Sequence, residues 1–366
     1  MRAIGLMVGV LLCAAPVGAA AQTAGEVDVR LTGRVQVQYN TTSADEAGPD
    51  ALPSSTFETR RVRLGVWIEA DDWITAIIEP EYALGELHLQ QAWVNLGFSD
   101  AAQLRIGQFK KPFSTIFLES STEIAAIERG LRIRGLESAL ETADEDAADP
   151  VLTPFAGGPL VGEEQYIIDA LGYQSYDLGA ALHGSLGRFT YELGLFNGAG
   201  PDTRDDNDAK TVVGRLSASP LADVPLTIGI AATHHPRFAA AAETDGSALE
   251  LFGRWGAFRQ PGVRAIVEVV TGETLGVDDS FLAAQGVAAY FHPVSGRVEG
   301  LEPVARVSWG DPRRDVDGDA GVLLTPGFNV YFSGRNRLML DYDVWVPQAD
   351  HFETTHALRA QAQVYF

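Results

Sequence analysis

The stretch Val27-Asp28-Val29-Arg30-Leu31-Thr32-Gly33-Arg34-Val35-Gln36-Val37-Gln38-Tyr39 alternates without interruption. Val27, Val29, Leu31, Val35, Val37 and Tyr39 share one parity with Gly33, and Asp28, Arg30, Thr32, Arg34, Gln36 and Gln38 share the other. Successive side chains of a strand point to opposite faces, so this period predicts a ribbon with one apolar and one polar face. The stretch is about twice the length of an ordinary strand of about five or six residues.

The same alternation recurs along the chain. Val62, Leu64, Val66 and Ile68 oppose Arg61, Arg63, Gly65 and Trp67, and Ala92, Val94, Leu96 and Phe98 oppose Gln91, Trp93 and Asn95. Val263, Ala265, Val267 and Val269 oppose Arg264, Ile266 and Glu268. Leu338, Leu340, Tyr342 and Val344 oppose Met339, Asp341, Asp343 and Trp345. Counted this way, about sixteen strands are expected, over 26–39, 57–69, 74–83, 86–98, 101–108, 173–185, 188–196, 210–218, 225–234, 247–258, 262–270, 281–292, 299–309, 319–332, 335–346 and 354–366.

Beyond the first two dozen residues, no apolar run approaches the ~18 residues of a membrane helix. Only helices and closed barrels satisfy every backbone group inside lipid. Long strands with one apolar and one charged face therefore predict an all-β, transmembrane antiparallel barrel with lipid outside and water within. A soluble sandwich explains the alternation but not charged residues opposing an apolar face in so many long strands. The connections agree. Asp71-Asp72, Ser99-Asp100, Leu186-Gly187, Gln260-Pro261 and Ser333-Gly334 mark tight turns on one rim. Longer acidic, Gly/Pro-rich stretches, 40–56, 109–172, 197–209, 235–246, 271–280, 310–318 and 347–353, mark loops on the other. Short periplasmic turns and long extracellular loops are the expected asymmetry, and loops as long as 109–172 are commonly functional.

Residues 1–21 read as a cleaved export signal, with Arg2, an apolar stretch from Ile4 to Ala15, and Ala19-Ala20-Ala21 before Gln22. The expected mature barrel is a single domain over 22–366. The one cysteine, Cys13, leaves with the leader, which removes disulfide, thiolate-metal and cysteine-nucleophile chemistry. A formal charge of -22 argues against nucleic acid as a partner. No P-loop, serine nucleophile elbow or HExxH is present, and no cofactor is expected.

Against that acidity stands Gly107-Gln108-Phe109-Lys110-Lys111-Pro112-Phe113-Ser114, at the mouth of the longest loop. Pro112 cannot donate to a ladder and marks where strand pairing stops. Hydroxyls follow at Ser114, Thr115, Ser120, Ser121 and Thr122, then Arg129, Arg132 and Arg134. Taken with Arg105-Ile106 before it and with Phe57-Glu58-Thr59-Arg60-Arg61-Val62-Arg63-Leu64-Gly65 earlier, this segment resembles the phosphate-selective porins O and P. Gln361-Ala362-Gln363-Val364-Tyr365-Phe366 resembles the C-terminal signal read by the barrel-assembly machinery of the bacterial outer membrane. The resemblance implies a sixteen-stranded outer-membrane porin, usually a homotrimer, with its third extracellular loop, 109–172, folded inward as the constriction.

By parity, Arg30, Arg34, Arg61, Arg63, Arg105 and Arg359 point into the lumen, and five of them fall on three consecutive strands as one basic flank. Arginine stays protonated and its planar fork matches phosphate or carboxylate oxygens. With Lys110, Lys111, Arg129, Arg132 and Arg134 these are the expected pore and anion-binding residues; Arg215, Arg254, Arg264 and Arg306 are further inward candidates. A structural alternative is that Lys110 and Lys111 anchor the loop to carboxylates such as Glu79 and Glu81. Glu69, Glu79, Glu81, Glu192, Glu268, Asp341 and Asp343 also face inward by parity, which keeps open a general or weakly cation-preferring porin. A plugged adhesive barrel and an outer-membrane enzyme are the remaining alternatives; His183, His356 and His88 have no evident nucleophile partner. Asp311, Asp315, Asp317 and Asp319 are spaced like calcium ligands but read as a solvated acidic loop, to be offset by divalent cations at lipopolysaccharide. His234-His235 is a weak metal candidate, and Trp309, Tyr342, Tyr290 and Phe291 suit membrane girdles.

Overall fold

The computed structural model describes residues 27–43, 55–83, 86–130, 132–133, 165–166, 168, 171–205, 208–239, 242–274, 279–318, 320–348 and 354–366. The expected leader, Asp319, Arg134 and most of 131–170 lie outside the described residues, and of Arg132 only the backbone is described.

The alternating segments form β1 (Val27–Thr42), β2 (Ser55–Ala70), β3 (Ile74–Ala83), β4 (Glu86–Ser99) and β5 (Ala102–Lys110). A single-turn helix, α1 (Thr115–Leu118), and two two-residue strands, β6 (Arg132–Ile133) and β7 (Gln165–Tyr166), interrupt the series. It resumes with β8 (Tyr176–Leu186), β9 (Phe189–Phe196), β10 (Thr211–Ala218), β11 (Leu226–Ala239), β12 (Ala242–Trp255) and β13 (Gly262–Glu273). β14 (Ser280–Pro293), β15 (Gly300–Asp311), β16 (Gly321–Tyr331), β17 (Arg337–Pro347) and β18 (Thr355–Tyr365) complete it. β6 pairs only with β7; the other sixteen strands close into one antiparallel barrel, each beside its chain neighbour, with β5 against β8 and β1 against β18. No helix among the described residues is long and apolar enough to cross a membrane. The crossing is made by strands.

The two faces divide as period two requires. Val29, Leu31, Leu193, Leu251, Val267, Leu338 and Leu340 stand on the exposed outer surface, while Gln36, Gln38, Glu250, Glu268, Asn329, Arg337 and Gln361 are buried inside. Trp73 stacks near Phe98 on the outer surface by the short-turn rim, as a girdle pair does. Phe291 is a correction to the expected girdle. It turns inward, is buried, and packs edge-on to Tyr331 with ring centroids 5.5 Å apart.

A second correction concerns the loop expected over 235–246. β11 and β12 run on as a long hairpin in which Pro236 pairs with Asp245. β10 pairs with β11 only as far as His234, so Pro236 sits where the strand has one neighbour and needs no second donor. The two histidines also part company, since alternation sends them to opposite faces. Nδ1 of His235 meets the Thr211 hydroxyl inside at 2.5 Å, and Nδ1 of His234 meets the Ser247 hydroxyl outside at 3.1 Å. They cannot share one metal ion, and no metal-holding cluster of His, Cys, Asp and Glu occurs among the described residues.

The seam is closed by the last residue. Phe366 and Gly33 exchange both backbone hydrogen bonds, at 2.9 and 3.1 Å. The Phe366 ring lies over Gly33 so closely that a Cβ there would come within 2.4 Å of it. Glycine is required by this approach, and the ring covers backbone that glycine leaves bare. Gly33→Val is expected to destabilise the seam by about 1–3 kcal/mol, the usual cost of overpacking. It should lower the temperature at which the folded, heat-modifiable band disappears on gel electrophoresis; an unchanged temperature would remove the role given to Phe366.

Candidate functional site

The chain that leaves β5 turns into the lumen and lies along the inner wall. Its root is apolar. Phe113, Phe117, Leu171, Tyr173 and Tyr176 pack against the inward side chains Val213, Ala231, Ala248, Val270 and Phe281. The inner face of β10 to β14 is therefore small and apolar just where the loop crosses, and polar elsewhere. Lys111 belongs to this root: it is almost wholly buried, and its ammonium donates to the Gly172 carbonyl at 3.2 Å. Gln174 closes the same root by donating to the Lys111 and Phe113 carbonyls.

Beyond the root the loop has no ladder to join, so wall side chains satisfy its backbone. Ser114, held at φ 58, caps α1, accepting from the Phe117 N–H at 3.2 Å and donating to Glu268. Glu268 accepts the Ile116 N–H at 3.0 Å, Glu250 accepts the Thr115 N–H at 2.6 Å, and Asp341 accepts the Ile127 N–H at 2.6 Å. The loop carbonyls receive donors in turn. Arg264 donates to Glu123, Asn329 to Ala125, Arg306 to Glu128, Gln285 to Arg129 and Gln36 to Ser121. Arg264 also lies 3.7 Å from Glu119, whose carboxyl burial pushes up from its ordinary value while Arg264 opposes the shift.

The inward arginines exist as the parity reading placed them, but most are paired. Arg34 and Arg63 share Glu79 at 3.0 and 3.2 Å, and Arg63 also grips Glu81. Arg359 and Arg306 share Asp343 at 2.8 and 3.2 Å. Arg264 forks onto Glu302, Arg215 meets Glu250 with one nitrogen and the Thr115 hydroxyl with another, and Arg30, at the exposed short-turn rim, meets Glu69 and Asp28. The flank on β18, β1 and β2 is thus a ladder of mixed charge. Arg105 stands apart, on β5.

Arg60 was not among the expected residues. By strict alternation it shares the outward parity of Val62 and Leu64. Between Gln36 and Val37 the β1–β2 register shifts, so that Arg61 faces Gln36 and Thr59 faces Val37 with Arg60 unopposed. This bulge turns Arg60 inward beside Arg61. The two guanidiniums clamp the Glu128 carboxylate, Arg60 at 2.7 Å and Arg61 at 2.9 Å. Glu250 was missed too, although its place between the lipid-facing Leu249 and Leu251 was a visible signal.

Between the loop and the wall of β2 to β5 a cavity of ≈ 600 Å³ remains. Arg60, Arg61, Arg63, Lys110, Lys111 and Arg129 line it, and Glu81 is its one carboxylate among the described residues. The Lys110 ammonium bonds the Phe117 carbonyl and lies 3.3 Å from that of Glu119, and Arg129 donates to the same Glu119 carbonyl at 3.2 Å. Both cations sit against the Phe117 ring, at 4.9 and 5.0 Å from its centroid. Among the described residues neither pairs with a carboxylate. Setting Lys111 aside at the root, Arg34, Arg60, Arg61, Arg63, Lys110 and Arg129 count against the carboxylates that hold them, Glu79, Glu81 and Glu128, and leave three positive charges in excess. Carbonyl dipoles hold these cations in place without cancelling their charge.

Comparison with known proteins adds to this geometry. The family model of the phosphate-selective porins O and P matches residues 29–299. Among solved structures, an anion-selective porin from Comamonas acidovorans is similar with a TM-score of 0.66 and 15% identity, over 93% of this chain and 100% of that one. The outer-membrane channel DcaP of Acinetobacter baumannii gives 0.57 and 10%, over 94% and 99%. OmpT, an outer-membrane protein of Vibrio cholerae in its trimer form, gives 0.57 and 12%, over 93% and 99%. No curated protein matched the chain in sequence.

The docking contacts give a direct expectation. Glu250→Gln combined with Glu268→Gln removes both carboxylates that hold α1 and leaves Arg215 without its partner. Breaking one side of a buried charge pair costs about 3–5 kcal/mol, so the loop should detach while the barrel stays closed. Single-channel conductance should rise and become noisier, and the loop should be cut faster by added protease; unchanged values for both would refute the docking role.

Proposed function

The chain belongs to the phosphate-selective porin O and P family and is a bacterial outer-membrane porin, and from that premise we propose that its narrow zone favours small anions, phosphate-type ions among them. The observation that carries this reading is the excess of three positive charges around the cavity, with Lys110 and Arg129 held only by carbonyls. The net charge of the chain is strongly negative, but ions respond to the field where the path is narrow. The inward carboxylates, which would support the cation-preferring alternative, are mostly spent on arginines or on loop N–H groups.

Passage is diffusive. The solute gradient supplies the driving force, no turnover or cofactor is needed, and the protein acts as a channel rather than an enzyme. An anion reaching the cavity exchanges part of its hydration for the Lys110 ammonium and the guanidiniums of Arg60, Arg61 and Arg129. Because these donors also hold Glu128 and the loop carbonyls, the anion is weakly bound and can leave. Residues 1–21 as an export leader, 109–172 as the constriction loop, and Arg132 and Arg134 as further cations belong to the same proposal. So do a homotrimer, contact of the acidic loops with lipopolysaccharide through divalent cations, and recognition of Phe366 by the assembly machinery.

In a planar bilayer separating two potassium chloride concentrations, the reversal potential should have the sign of a chloride-preferring channel. A unit charge about 4 Å from an ion is worth about 1 kcal/mol even in water. Lys110→Gln with Arg129→Gln should therefore lower the chloride-to-potassium permeability ratio by roughly five- to twentyfold. A cation-selective wild type, or a ratio indifferent to both substitutions, would overturn the reading. Phosphate added at fixed chloride should depress the chloride current in the wild type more than in the double variant.

A further inference from the structure

Away from the apolar root, the inner face of β2 to β5 carries two tryptophans among polar side chains. Trp67 and Trp93 both stand opposite Ile77 of β3, one from each side, and Ile77 is buried. The two indoles meet edge-to-face at 5.6 Å and 87°. Each is fixed by its own strand: the Trp67 indole N–H donates to Glu69 at 2.9 Å and that of Trp93 to Gln91 at 3.1 Å. The result is a small apolar shelf inside a water-filled barrel.

Arg105 adjoins it. Its guanidinium lies 4.7 Å from the Trp93 ring and 5.3 Å from that of Phe109. Among the described residues it makes no hydrogen bond; its Nε is unpartnered, and the nearest carboxylate, Glu192, is 3.9 Å away. Both side chains keep about a quarter of their surface exposed, at 28% and 24%. The inward arginines of the narrow zone, by contrast, donate to carboxylates or carbonyls. Arg105 presents its donors to the lumen. Gly107 makes the arrangement possible: at φ 133, a Cβ would come within 2.2 Å of the Ala92 carbonyl and 2.6 Å of the Trp93 Cα, and would displace the strand that bears the indole.

We propose that Arg105, Trp93 and Trp67 form a second anion subsite that takes an organic carboxylate carried on a planar apolar body. The inference rests on the anion-channel reading and names a substrate class for it. Lys110 lies five residues further along the same strand, roughly 17 Å at about 3.4 Å per residue. The subsite thus follows the narrow zone on the short-turn side, in series with it. A carboxylate can accept two parallel N–H donors from a single guanidinium. Its ring would stack on the indole that already carries Arg105 and release water from the shelf. Inorganic phosphate, hydrated all round, gains nothing from the tryptophans.

The test measures block of chloride current through single channels of the purified protein by sodium benzoate, sodium acetate and sodium phosphate at matched ionic strength. Benzoate should halve the current at a concentration about tenfold below that of acetate or phosphate, equivalent to about 1.4 kcal/mol. Trp93→Ala should bring benzoate to within about twofold of acetate, and Trp73→Ala, on the outer surface, should leave the preference intact. Arg105→Lys keeps the charge but loses the planar fork, and should also abolish the preference; it decides the matter if the tryptophan variant does not fold. Equal block by benzoate and acetate in a chloride-selective wild type would overturn this inference alone. So would a benzoate preference that survives the substitutions. A cation-selective wild type would instead overturn the reading beneath it.

Discussion

A segment that crosses the lumen of a barrel carries backbone N–H and C=O groups with no strand beside them. Left unpaired against protein, each costs about 1–3 kcal/mol. Here the wall supplies the missing partners. Glu250, Glu268 and Asp341 take the N–H groups, and Arg264, Arg306, Asn329, Gln285 and Gln36 serve the carbonyls. The position of Lys110, Arg129 and Glu128, and hence the shape and charge of the remaining passage, follows from that exchange.

The same exchange explains how an acidic chain can hold a positive narrow zone. Inward carboxylates are consumed by the loop backbone and by arginine forks, so they are structural neutralisers more than contributors to the field. The cations that remain in excess are those whose partners are carbonyl oxygens. Charge composition alone speaks about the molecule at a distance. At the cavity it is the pairing that counts, because an ion responds most to charges within a few ångströms, and exposed charges further off are screened over a Debye length of about 8–10 Å.

Two walls of the lumen divide the work. On β12 to β18, β1 and β2 the polar side chains grip the loop. On β5, β8 and β9 the loop root is met by apolar packing instead, with Phe109, Tyr176 and Phe196 buried and Phe196 packed on Phe109 at 5.1 Å, while Trp93 and Arg105 lie in contact beside it.

The sequence by itself determined the strand faces, since alternation is a property of neighbours in the chain: Val29 and Leu31 outward, Arg34 and Gln36 inward, Leu338 outward, Asp343 inward. It also placed the mouth of the loop, because Pro112 ends strand pairing whatever lies around it. It could not reveal Arg60, because a bulge is a mismatch between two strands and leaves no trace in either one alone. Nor could it separate Lys110 from Lys111, adjacent and alike in chemistry. Both border the cavity, but Lys110 is held by the loop carbonyls of Phe117 and Glu119, and Lys111 is almost wholly buried at the root against Gly172. The inward arginines were legible one by one, but their partners were not. Arg61 and Glu128 are far apart in the chain and meet only when the loop docks, so which charges stay in excess was decided by the tertiary structure.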